Sequence, residues 1–216
     1  MRLAFTIIAA VLASTSVRSA VVVDRMAVIV DKQVVKTSDI DRDLRVTAFL
    51  NKEPLVLNAE ARKTAAERLI DQAIIRQDIA TGGYKRPTDD DTLALLKQIR
   101  RSRFGGIDTR LRAALAEYGL TENQLREQLQ WQLTVLRFID QRFRPGVLVG
   151  DEEVRAYYDQ HLAELRKEYP QNSALETLSP KIRSMLEGER VNKDFEDWIG
   201  QARKRSRIEY REAAFQ

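Results

Sequence analysis

Asn58, Thr88 and Thr121 each stand just before a stretch of helical hydrophobic spacing, and glycine or proline closes each stretch. A Ser, Thr or Asn side chain at such a position accepts a hydrogen bond from the free N–H groups of the first turn. A glycine at the far end tolerates the left-handed backbone that stops a helix. The first stretch, "AEARKTAAERLIDQAIIRQDIAT", runs from the Asn58 cap to about Thr81 and meets Gly82–Gly83. The second, "RPTDDDTLALLKQIRRSRF", has Pro87 ahead of Thr88 and three aspartates in its first turn, and ends at Gly105–Gly106. A shorter one runs from Asp108 to a stop at Gly119. In the third and longest, Thr121 and Gln124 have capping-box spacing, and Pro145–Gly146 ends the run. Nine glycines and five prolines in 216 residues leave few turns, which sets aside a β-rich fold. The spacing predicts a mostly helical chain.

The two ends differ from this middle. Met26–Val30 is rich in β-formers, Asp31–Lys32 reads as a turn, and Gln33–Lys36 as the returning strand of a hairpin. Ser38 reads as the cap of the next helix, with Asp39, Asp41 and Asp43 in its first turns where the macrodipole favours negative charge. Near the other end, "RIEYR" (Arg207–Arg211) alternates as a short strand. A hairpin alone is marginal, so the late strand is expected to pair with it. One lobe would then be built discontinuously, from about 22–50 and 178–212, within a single module over 20–216. Between lie a β-like run at Val147, a helix through "DEEVRAYYDQHLAEL", a break after Tyr169–Pro170, and a long helix from near Leu178.

Two helices are apolar on more than one side. Leu125, Leu129, Leu133, Leu136 and Phe143 form one stripe of the longest helix, and Trp131, Val135 and Phe138 a second. In the 58–81 helix, Leu69, Ile70, Ala73 and Ile74 face one way, with Ile75 and Ile79 opposite. Such a helix is either sandwiched between neighbours or keeps one stripe for a partner.

The first residues have the three-part layout of a secretory signal peptide: Arg2, the apolar run "LAFTIIAAVLA", then "STSVRSA" with cleavage expected after Ser19. That run is too short for a membrane span of ~20 residues, so no stable membrane insertion is expected. Cleavage removes Arg2 and Arg18, and the formal charge falls from +4 to +2. A chain so nearly balanced does not call for nucleic acid, and "IRRSRF" and "RKRSR" read as solvated faces. With no cysteine, disulfides and a lipid anchor on cysteine are excluded.

Little here points to catalysis. The single histidine, His161, rules out a multi-histidine metal site and lies in a polar helix with no GxSxG elbow elsewhere. Asp89–Asp91 and Glu152–Glu153 sit at helix starts, where acids are expected for the dipole alone. No metal, no cofactor and no phosphate-binding glycine loop is expected.

Taken in order, several segments resemble SurA-type periplasmic chaperones. "VVDRMAVIVDKQVVKTSDIDRDL" is similar to the opening strand, turn, strand and Ser-Asp helix start of that family. "ERLIDQAIIRQDIATGGYKRPTDDD" and "LRAALAEYGLTENQLREQLQWQLTVLRFIDQRFRP" resemble the helices that follow. "VLVGDEEVRAYYDQH" resembles the lead into a parvulin prolyl-isomerase domain, and "IRSMLEGERVNKDFEDWIGQARKRSRIEYR" the closing helix and strand. The likeness spans about 22–158 and 178–212. Relatives with an isomerase carry it at the break, whereas only residues 159–177 lie there in this chain. A domain rarely folds below about 40 residues without disulfides or metal, so no isomerase activity is expected.

The resemblance implies a multi-helix chaperone core with an N-terminal hairpin paired to a C-terminal strand. It implies ATP-independent binding of unfolded outer-membrane or exported proteins in the periplasm. For the client groove the residues singled out are Phe104, Trp131, Val135 and Phe138, with core packing as the other reading of the same positions. Two further functions stay open: an assembly subunit for one dedicated envelope partner, and a degenerate prolyl-isomerase relative. A homodimer by strand or helix exchange is a further possible partner arrangement.

Overall fold

The computed structural model describes residues 24–211 and 215; the apolar run and cleavage position at the N-terminus lie outside these. A hairpin, β1 (Met26–Val30) and β2 (Gln33–Lys36), leads into α1 (Thr37–Asn51). Then come α2 (Ala59–Gly82), α3 (Asp89–Phe104), α4 (Asp108–Glu117) and α5 (Glu122–Arg142). A 3-10 turn at Arg144–Gly146 precedes α6 (Asp151–Glu168), α7 (Leu175–Arg205) and β3 (Ile208–Tyr210). The chain is mostly α with one small antiparallel sheet, in the order β2-β1-β3. Both ends therefore meet in one sheet, and Val28 pairs with Val35 on one side and Tyr210 on the other.

Local chemistry accounts for most helix boundaries. Asn58 Oδ1 accepts from Ala61 N–H at 2.8 Å, and Thr121 and Gln124 cap one another reciprocally. Thr88 does the same with Asp91, which also receives Arg137 from α5 at 2.7 Å. Those bonds, first from the Thr88 backbone, hold the Asp91 carboxyl below its usual range. Gly83 and Gly105 close α2 and α3 at φ +68° and +64°.

Three boundaries differ from the sequence reading. Lys36, not Ser38, is the N-cap of α1: Asp39 accepts the Lys36 N–H at 3.1 Å, while Ser38 Oγ donates to Asp24 at 2.5 Å. A carboxylate upstream thus captured the hydroxyl that would have capped the helix. α7 starts at Leu175 and runs through Pro180, so the break reduces to Tyr169–Ala174. The Val147 run forms no strand. Its carbonyls at Leu148 and Val149 instead accept from Arg190 and Arg183 of α7.

The sandwiched reading holds for α2. Ile70, Ala73 and Ile74 pack under the sheet with Val28, Val30 and Ile40. On its other side, Ile75 and Ile79 meet Phe138 of α5. Phe49, Leu111, Leu115, Leu125 and Leu129 fill a separate core among α1, α4 and α5. α6 packs on the first half of α7 through Val149, Val154, Leu178 and Ile182. The second half of α7 returns to the sheet, where Arg203 reaches both Glu67 and Asp71 of α2. Among the described residues, no helix is long and apolar enough to cross a membrane.

Candidate functional site

The four residues singled out from sequence do not share a groove. Phe138 is 1% exposed and sits in an aromatic cluster with Tyr84, Phe143 and Trp198. It is a core residue, and the groove expectation for it is corrected. Phe104 packs against the other helical core, stacked on Phe49 with ring centroids 6.3 Å apart. Val135 is half-buried beside Phe138. Only Trp131 of the four lines an open cleft. The most exposed leucine of α5 is Leu136, at 63%, on the stripe from which no groove residue was chosen. Leu133, Leu136 and Val191 line a shallow trough between α5 and α7.

The cleft lies where β2, α1, α2 and α5 converge. Its walls include Gln33 and Val34 of β2, Asp39 and Asp43 of α1, Gln72 and Arg76 of α2, and Gln128 and Trp131 of α5, around a volume of about 190 Å³. Gln33 Nε2 donates to the Ala73 carbonyl at 2.9 Å, which pins the strand to α2. A second hollow, bordered by Ile79, Pro87 and Thr134, shares Arg76, Glu127 and Trp131 with the first. The two adjoin at these three residues and are together called the trough.

One wall of this trough is an open strand edge. Asp31 N–H donates to the Arg207 carbonyl and Arg211 N–H to that of Ala27, so odd-numbered residues of β1 bond toward β3. Val28 and Val30 therefore bond toward β2, to Val35 and Gln33. Val34 alternates with these, so its N–H and C=O point away from the sheet. Its side chain is 43% exposed.

The charges around the trough are unequal. Arg42 pairs with Asp39 at 2.9 Å, and Arg68 with Asp43 at 2.5 Å. Burial pushes the Asp43 carboxyl up despite Arg68. Arg76 lies over the Trp131 ring, its guanidinium carbon 4.4 Å from the centroid. Among the described residues no carboxylate stands within 4.0 Å of it, and its one side-chain hydrogen bond is a long 3.5 Å one to Gln72. Burial lowers the Arg76 pKa from the ordinary guanidinium value, although the Asp39 charge opposes the shift. An arginine remains charged under such a shift. Sequence reasoning missed Arg76, although a cation between Ile75 and Ile79 in the apolar arc of α2 is the signal that marks it.

Two other arginines lie over aromatic rings but are engaged: Arg103, over Phe49 and Phe104, donates to the carbonyls of Phe49 and Leu50, and Arg142, over Trp198, pairs with Asp78. His161 stacks on Tyr157 at 4.2 Å and contacts Glu164 at 3.1 Å on the surface of α6. Among the described residues no group of three or more metal-ligating side chains comes together. No protein-family model matches the chain, and no curated protein matches it.

Proposed function

We propose that the chain is an ATP-independent chaperone that holds unfolded outer-membrane or exported proteins in the periplasm. The observation that carries this reading is the trough, in which an open strand edge at Val34 faces Trp131 and Arg76. A peptide in extended form can hydrogen-bond to a free edge, and an aromatic wall accepts varied side chains. Amide side chains at Gln33, Gln72 and Gln128 suit peptide groups of any sequence. Leu136, Leu148 and Met185 add exposed apolar surface outside the trough. The ordered likeness to SurA-type chaperones supports the same client class. Such clients alternate apolar and polar residues and are prone to aggregate before insertion.

The test is suppression of aggregation. An unfolded outer-membrane β-barrel protein is diluted into buffer with the purified chain, without ATP, and light scattering is followed. Dose-dependent suppression without acceleration of a proline-limited refolding reaction is the expected result. No suppression at several-fold excess overturns the general chaperone reading and leaves a single dedicated partner.

A further inference from the structure

The free edge of β2 is short. Val34 offers one N–H and one C=O, while the next outward group, the Lys36 N–H, already donates to Asp39. A bound strand thus gains few main-chain bonds, and side chains must supply the rest of the recognition. The group best placed for that is Arg76. Its guanidinium carbon is held over the Trp131 ring, its one side-chain hydrogen bond is the long one to Gln72, and it lines both hollows of the trough. The cations at the first hollow, Arg42 in its wall and Arg68 through Asp43, are spoken for and Arg76 is not, while Arg86 borders only the second hollow.

We propose that the trough selects, within an extended polypeptide, an acidic residue flanked by apolar ones, with its carboxylate held by Arg76 and a neighbouring side chain on Trp131. This deepens the chaperone reading and rests on it. The occupant is an internal segment rather than a chain end, because the trough continues on both sides of Arg76. It is a carboxylate rather than a phosphate. Asp39 and Asp43 are each neutralised by an arginine, and Glu127, which lines the same trough, opposes a dianion more than a monoanion. Glu127 accepts from Asn123 at 2.7 Å and has no ion-pair partner within 4.0 Å among the described residues. It sets the limit on how strongly an acid is held.

The experiment uses fluorescein-labelled nonapeptides of alternating valine and threonine, read by anisotropy. One is capped at both ends with a central glutamate, one is capped with a central glutamine, and one has that glutamine with a free C-terminal carboxylate. The capped glutamate peptide is expected to bind about tenfold tighter than its glutamine counterpart, as a charge-assisted bond requires. Arg76→Gln is expected to abolish that preference with the circular dichroism unchanged. Glu127→Gln is expected to strengthen binding of the glutamate peptide. Equal binding of the two capped peptides overturns the proposal, as does a preference that survives Arg76→Gln. Tightest binding by the free-carboxylate peptide also overturns it, since a chain end would then be the ligand. The aggregation assay runs in parallel. Suppression without glutamate preference removes this proposal and leaves the chaperone reading intact. Glutamate preference without suppression upholds the trough's selectivity and removes the general chaperone.

Discussion

The hydroxyl of Tyr210 donates to Glu67 Oε1 at 2.7 Å, so the last strand is fastened to α2 as well as to β1. Arg203 of α7 meets the same carboxylate and Asp71, which gathers sheet, α2 and α7 at one point. Desolvation, followed by the bond to Glu67, pushes the Tyr210 hydroxyl up to about 12. A raised pKa favours the protonated folded state. The contribution is therefore complete below the ordinary tyrosine value of about 10 and is lost as pH rises through about 12. Absorbance titration near 295 nm is expected to show one late-titrating tyrosine. Glu67→Gln is expected to bring it down toward the others.

Asp43 is a buried carboxyl balanced by one arginine. Arg68→Ala is expected to destabilise the fold by about 1–3 kcal/mol at neutral pH, because a buried charge loses its partner. The sign follows from the raised pKa of Asp43: the ionised form is the costly one, and protonation relieves it. The loss is expected to grow as pH rises through that raised value and to shrink in acid. Urea unfolding of wild type and variant across that range measures it.

Phe138 and Trp131 lie on neighbouring faces of α5 and are expected to part under substitution. Phe138→Ala empties a fully buried site and costs about 3–5 kcal/mol. Trp131→Ala removes a half-buried ring at the trough wall, costs less, and weakens peptide binding. Denaturant midpoints and peptide anisotropy on the same two proteins separate core from site.

Lys52 and Gly200 have exchanged the residues their backbones favour. Lys52 holds the left-handed end of α1 at φ 60°, while Gly200 lies inside α7 with open space where a Cβ would stand. Lys52→Gly and Gly200→Ala are each expected to raise stability by about 1 kcal/mol. Their effects add, since they lie on separate elements.

The helix starts at Asn58, Thr88 and Thr121 were legible because a cap is a bond between residues three apart. Ser38 misled because Asp24, fourteen residues upstream, competes for its hydroxyl. The fold class and the pairing of both termini also follow from local pattern, since an isolated hairpin and a stray strand each need a neighbour. Which stripe of α5 stays open did not. Phe138 and Leu136 both read as apolar positions on one helix, and only the arrival of α2 and α7 buries the first and leaves the second exposed. Arg76 was hidden for the same reason: its meaning depends on a tryptophan 55 positions away.

The central place of β1 sets an order of assembly. Its partner β2 follows after a two-residue loop and can zip at once, whereas β3 comes only after all of α1 to α7. Closing so long a loop is an entropic cost that comes late, so the slow step of folding is expected to be the docking of the final strand. Until then the far side of β1 is itself an unsatisfied edge. A newly made copy thus passes through a stage in which it carries the same hazard as the proteins it is proposed to hold.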